Sequence, residues 1–363
     1  MVAPRIRAVR RLALTGVPLI TVTALVAWGA PVSYGAARTS AAPLNCGSSF
    51  NPYAHSRAAV SACGYQTFPL AATHAMPGGG TSYDYIVHGK RVRIYVPPAG
   101  FNPGTATDAR LNEYGLPPRP STTTASAQWR RQMHAWKGAA RPLSFLAETH
   151  AHAGTAYSGN WSGYMVLGNN GTYTHGEAWY VEPTYYSSQC STNAEVTWAG
   201  IGGWNYTTLG QDGTAHGVPG IADHMAWWEI WPDTNMFGVN LFGHPGYWFD
   251  ASTRWLGGAY RFYMYDYYSG TTFALDVSDG NYSGNSAEAI AERPTINGSW
   301  SYLSNFGTLY FEQSQANGYP ISDYSPSGVR YGDWMQDGNG SIMAEPSAIG
   351  SGGYFTDTQT LCY

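Results

Sequence analysis

Three glutamates lie inside apolar or aromatic strands, in a chain whose other acids fall mostly in turns. Glu229 sits in Trp227-Trp228-Glu229-Ile230-Trp231-Pro232-Asp233, and Glu288 and Glu292 sit in Ser286-Ala287-Glu288-Ala289-Ile290-Ala291-Glu292. The two-residue period of a strand puts Met225, Trp227, Glu229 and Trp231 on one face. It also puts Ser286, Glu288, Ile290 and Glu292 together and leaves Ala287, Ala289 and Ala291 for the other face. A carboxyl among indoles has its pKa raised by desolvation. Such a group can take a proton from water and return it to a leaving group, which is general acid–base chemistry. The competing reading is a strand charge that only deters edge-to-edge association.

Other hydrolytic apparatus is missing from the sequence. G-x-S-x-G is absent, which leaves a serine nucleophile elbow unsupported. H-E-x-x-H is absent too, as are D-T-G and D-S-G, and His175, His216, His224 and His244 are scattered. No C-x-x-C or H-x-x-x-H spacing accompanies the cysteines, so no metal site and no cofactor is expected. The remaining chemistry is that of carboxylates without a metal.

The elements that would position these acids read as strands separated by Gly, Asn, Ser and Asp clusters. Candidates are residues 160–167, 173–182, 195–202, 224–231, 258–267, 271–277, 286–292 and 308–312. The fold class predicted from them is all-β: a two-sheet antiparallel β-sandwich of jelly-roll, concanavalin-like type. It is preceded by a mixed, loop-rich segment in which one strand is expected over 85–95 and one helix over 125–140.

Arg5, Arg7, Arg10 and Arg11 precede an apolar run from Leu12 to about Ala30, and small residues follow at 35–42. This is the order of a secretory signal peptide, so residues 1–42 are expected to be removed and the protein to be secreted and extracellular. An uncleaved membrane anchor is the alternative. Residues 43–156 are expected to form a basic prosegment and residues 157–363 the acidic β-sandwich domain. From Arg38 to Ala156 there are eleven Lys and Arg against four acids; from Tyr157 onward there are four Arg, no Lys and nineteen acids. Blocks of opposite sign attract one another, and an acidic domain repels phosphate, which excludes nucleic acid as a partner. Lys90, Arg91, Arg93, Arg130 and Arg131 are expected to face carboxylates of the acidic half. Cys46 and Cys63 lie near one end, with Cys190 and Cys362 far downstream, which suggests one bridge in each part, although four cysteines allow three connectivities.

Five pieces in order resemble the glutamic peptidases of the eqolisin type. They are Asn160-Trp161-Ser162-Gly163, Gly176-Glu177 leading to Val181-Glu182-Pro183, and Thr197-Trp198-Ala199-Gly200-Ile201-Gly202-Gly203 leading to Leu209-Gly210-Gln211. The Trp228-to-Asp233 strand and Ser286-Ala287-Glu288 followed by Glu292 complete the set. The resemblance implies a secreted acid endopeptidase, made as a zymogen, with Glu288 and Gln211 as catalytic dyad. It implies that Trp198 and Glu229 support the substrate cleft; Trp227 and Trp231 join Glu229 there by alternation. Two departures are Gly202, where the family often carries an acid, and a stretch from Trp198 to Gln211 that is one residue short of the fungal pattern.

The partners this implies are protein or peptide substrates and the chain's own prosegment as an intramolecular inhibitor. A monomer without membrane association after signal cleavage is expected. The alternatives are a jelly-roll glycoside hydrolase using Glu229 and Glu288, and a non-catalytic carbohydrate-binding β-sandwich with Trp and Tyr as sugar platforms.

Overall fold

Period-2 burial organises the chain into two antiparallel sheets packed face to face. The computed structural model describes residues 46–47, 50–120, 123–153, 159–186, 193–323 and 329–362. The expected signal peptide and Cys190 lie outside the described residues.

In the first sheet the strand order is Val329–Asp333, Trp161–Leu167, Ser286–Glu292, Asn193–Gly202, Leu209–His216, Met225–Trp231, Phe237–Phe242, Phe145–Glu148 and Gln66–Ala75. In the second, Gln66–Ala75 is followed by Thr81–Val87, Lys90–Val96, Thr271–Ser278, Ala259–Asp266, Trp248–Trp255, His175–Val181, Thr308–Ala316, Phe355–Gln359 and Ile342–Pro346. Gln66–Ala75 belongs to both sheets. Its first half pairs with Phe145–Glu148, and after an irregularity between Leu70 and Ala72 its second half pairs with Thr81–Val87. A bulge of this kind bends a strand and lets it switch sheets.

Between the sheets lies a large apolar core that includes Ala287, Ala289, Ala291, Trp228 and Ile230, the faces of their strands opposite the glutamates. Phe68, Tyr85, Val92 and Ile94 belong to the same core, so the N-terminal part contributes strands to both sheets and side chains to their interior. The whole of Leu44–Tyr363 is one compact unit. Among the described residues no helix is long and apolar enough to cross a membrane.

Several local expectations need correction. The strand expected over 85–95 is a hairpin, because His88 and Gly89 both take positive φ (48° and 80°) and close a two-residue turn between Val87 and Lys90. The helix expected over 125–140 is Thr123–Ala135. Its last five residues are captured by the second sheet, where the Lys137 N–H donates to the Gly270 carbonyl and Gly138–Ala139 pairs with Thr271–Thr272. The Leu209–His216, Phe237–Phe242 and Trp248–Trp255 strands were not among the expected ones.

The cations distribute differently from expectation. Lys90 does reach the acidic half, 3.1 Å from Asp233 and 2.7 Å from Asp279. Arg93 stands opposite Asp276 of the acidic half but puts two guanidinium nitrogens at 2.6 Å on Asp84 of its own hairpin, while Arg110 pairs with Glu113 and Arg119 with Asp108. Cys46 and Cys63 form a disulfide, and Cys362 is also disulfide-bonded.

Candidate active site

Four residues form one line across the first sheet. Glu288 stands opposite Gly200, Gly200 opposite Gln211, and Gln211 opposite Glu229. Residues in register share a face, so Glu288, Gln211 and Glu229 project to the same side. That side is the outer face of the sheet, where Trp161, Met165, Trp198, Trp227 and Ile290 form a second buried cluster and Trp231 packs against it. Two strand spacings put the Glu288 and Gln211 backbones roughly 10 Å apart. Gly200 keeps the intervening space clear. A Cβ there would meet a Trp198 ring carbon at 2.9 Å and the Gly210 carbonyl and a Leu209 methyl at 3.0 Å.

Glu288 is fully buried, and neither of its carboxyl oxygens has a hydrogen-bond partner. Burial pushes its pKa well above the ordinary carboxyl value. The Ser286 hydroxyl acts in the lowering direction, and it donates to the Gly202 carbonyl at 2.7 Å. Glu292, four residues on and on the same face, is held in contrast: it accepts from Asn160 Nδ2 at 2.6 Å and from Trp198 Nε1 at 2.9 Å. It thereby fixes the indole that packs edge-on against Trp161, with centroids 5.0 Å apart.

Gln211 is also fully buried. Its amide nitrogen donates to the Ala153 carbonyl and, at 3.0 Å, to Glu229 Oε2, while its own oxygen has no partner. Glu229 Oε2 accepts in addition from the Ala153 N–H at 2.9 Å, and Glu229 Oε1 lies 3.0 Å from His152 Nδ1. Burial raises the Glu229 pKa to about 7 against the lowering effect of His152, the Ala153 N–H and Gln211. The hydrogen bond to Glu229 raises the His152 pKa, outweighing its partial burial. Trp227 anchors the floor by donating to the Thr214 carbonyl at 2.9 Å.

All five polar and aromatic candidates on the Trp198, Gln211, Met225–Trp231 and Ser286–Glu292 strands therefore meet on one face, with Trp231 at its margin. Sequence reasoning missed Gly200 as the spacer, and it missed His152 and Ala153, which approach from the N-terminal part. Their neighbourhood in space depends on pairings remote in sequence: Ala151–His152 forms an antiparallel ladder with Thr295–Ile296.

A model of the peptidase A4 family matches residues 159–354. Among solved structures, scytalido-glutamic peptidase with a transition state analog inhibitor is similar at 17% identity and a TM-score of 0.47, covering 56% of this chain and 100% of that one. The same peptidase with a peptide-based transition state analog gives 18% and 0.45 over the same shares of the two chains. SCP-B, a member of the eqolisin family of peptidases, in complex with the tripeptide Ala-Ile-His gives 16% and 0.43, again over 56% and 100%. No curated protein matches.

Proposed function

This chain belongs to the peptidase A4 family and is a peptide-bond hydrolase, and we propose that Glu288 and Gln211 perform the hydrolysis as a glutamic-type dyad. The observation that carries the reading is their common register about Gly200: one is a buried carboxyl without a hydrogen-bond partner, the other an amide whose nitrogen donates to a peptide carbonyl.

In the open cleft, water enters between the carboxyl and the carboxamide. Glu288 accepts a proton as the water oxygen attacks the substrate carbonyl carbon. The carbonyl oxygen, as it becomes negative, accepts a hydrogen bond from the Gln211 amide nitrogen. Glu288 then passes the proton to the leaving nitrogen as the C–N bond breaks. An exposed glutamate of ordinary pKa, about 4.3, suits both duties at acid pH. Opening the cleft relieves the burial that holds Glu288 above that range.

The chain is further proposed to be a secreted zymogen acting on proteins and peptides. The basic and apolar N-terminal sequence supports secretion, and the Cys46–Cys63 disulfide fits an oxidising compartment. Residues 43–156 act as the inhibitory prosegment, because His152 and Ala153 take up the hydrogen-bonding groups of Gln211 and Glu229. The glycosidase alternative loses its support to the family match; on the sheet, Gly200 and Gln211 stand between Glu229 and Glu288.

The test is hydrolysis of denatured protein at about pH 3.5 by the wild type and by Glu288→Gln, whose carboxamide cannot take up a proton. Loss of turnover with an unchanged near-ultraviolet spectrum is expected. Activity of the variant within about tenfold of wild type sinks the assignment.

A further inference from the structure

Residues 149–153 cross the outer face of the first sheet, with a bend at His150 and a short strand at Ala151–His152, and are bonded on both edges. On one edge the Thr149 N–H donates to the Met236 carbonyl at 3.0 Å and the Met236 N–H to the Ala151 carbonyl at 3.2 Å. On the other, the Asn297 N–H donates to the His150 carbonyl at 3.2 Å, and His152 and Ala151 pair with Thr295 and Ile296. Strand addition of this kind is how an extended peptide is recognised: the backbone gives affinity, and the side chains give choice.

Resting on the Glu288–Gln211 reading, we infer that this segment lies in the register of a substrate and that Glu229 is a specificity-determining residue. The cleft selects a small side chain at the residue whose carbonyl Gln211 holds, and a cationic or imidazole side chain at the residue before it.

Three contacts set that register. Glu229 uses one oxygen for the His152 ring and the other for the Ala153 N–H, so a single carboxylate reads one side chain and the next backbone group. Gln211 donates to the carbonyl of that same Ala153 and to the oxygen of Glu229 that holds its N–H. A chain running in the opposite direction would not offer side chain, N–H and carbonyl to these groups in this order. Ala151 and Ala153 are both fully buried within the outer cluster, which leaves room for methyl-sized groups at alternate positions. An imidazole or ammonium donates to the Glu229 oxygen that faces this position, whereas an aspartate or glutamate side chain there would set a second carboxyl against one that is already desolvated.

The experiment is cleavage-site profiling. The full-length protein is incubated at acid pH until it digests a denatured protein mixture, and product termini are identified by mass spectrometry. Cuts are expected on the C-terminal side of Ala, Gly or Ser, with His, Lys or Arg preceding that residue at least about tenfold more often than Asp or Glu. In Glu229→Gln that ratio should fall to within about threefold while the small-residue preference persists. Should Glu229→Gln fail to fold, the wild-type profile alone decides. Cuts showing neither preference, in a protein that Glu288→Gln inactivates, overturn the register and leave the dyad standing. Absence of digestion at any pH, or digestion that survives Glu288→Gln, overturns the dyad and this inference with it.

Discussion

Gln211 stands directly opposite Glu229 in the pairing of their strands, and its amide nitrogen lies 3.0 Å from a Glu229 oxygen. A carboxamide has two donor hydrogens, and here one is anchored to a neighbouring strand while the other points at a peptide carbonyl. Glu229 thus sets the rotation of the group that must meet an oxyanion. Truncation in Glu229→Ala should lower kcat on the order of a hundredfold, the cost of a misplaced catalytic group. Glu229→Gln should do less harm, since its carbonyl oxygen can still accept from Gln211. Steady-state kinetics on one peptide substrate checks the ordering of the two variants. Equal losses in both would mean that charge rather than positioning is what Glu229 contributes.

Gln211→Ala removes the donor itself. One lost oxyanion donor costs roughly 2.7–4 kcal/mol of transition-state stabilisation, so kcat should fall about 10²- to 10³-fold with KM little changed. Because the side chain is buried beside Glu229, thermal melting must accompany the kinetics; a fall in Tm that explains the whole loss would argue against an oxyanion role.

Gly200→Ala tests the spacer. The new methyl would press on the Trp198 ring at 2.9 Å and on the Gly210 carbonyl at 3.0 Å, in a central strand where backbone cannot easily move. Overpacking of this kind costs about 1–3 kcal/mol. Activity should fall by more than the Tm change accounts for, because the methyl also intrudes between Glu288 and Gln211. Wild-type kcat/KM in a destabilised Gly200→Ala protein would show that the gap is not used.

Glu292→Ala leaves the buried Trp198 indole and the Asn160 amide without the acceptor they share. Each orphaned buried donor costs roughly 1–3 kcal/mol, so denaturant unfolding should show a clearly lower midpoint at unchanged slope. Glu292→Gln, which keeps one acceptor, should recover part of the loss.

Much of this arrangement was legible in the sequence because strand alternation is a local signal. The Ser286–Glu292 strand has the expected bounds, its alanines fill the inter-sheet core, and its acids face outward with Ile290. The Leu209–His216 strand was hidden because what selects its residues is tertiary. Gly210 has no room for a Cβ, which would meet the Tyr260 ring at 2.4 Å, and Asp212 is tolerated between the sheets by bonds from Thr253 Oγ1 at 2.7 Å and the Ser252 N–H at 3.2 Å. The His88–Gly89 turn was hidden for another reason: apolar residues crowd both sides of it, so the change of phase from Tyr85 and Val87 to Val92 and Ile94 is easily passed over, and the backbone angles mark the reversal. No local pattern announces that His152 will meet Glu229, 77 residues away.

The cover over the site responds to acid through groups whose proton affinity changes on docking. With the segment docked, burial raises Glu229 from its ordinary 4.5 to about 7, so it binds a proton more readily when covered than when open. His152 is also raised, by its bond to Glu229. Both therefore favour the covered state as pH falls from about 7, and for Glu229 that gain is complete below about 4.5. Asp233 works the other way. Burial pulls its pKa up, but the Asn281 amide and the Lys90 ammonium outweigh it and hold the value below the ordinary 3.8. That contribution is present above 3.8 and is lost as pH falls through the lowered value. Docking should thus tighten between neutral pH and about pH 5 and loosen only below about pH 4. Hydrogen exchange of residues 149–153 in full-length Glu288→Gln, which cannot cut itself under the proposed mechanism, reads this directly once intrinsic rates are corrected. Protection should pass through a maximum near pH 4–5, and Lys90→Ala should flatten its acid limb. Protection that falls steadily from pH 7 downward would mean that the surface ion pairs, and not Glu229 and His152, govern the cover throughout.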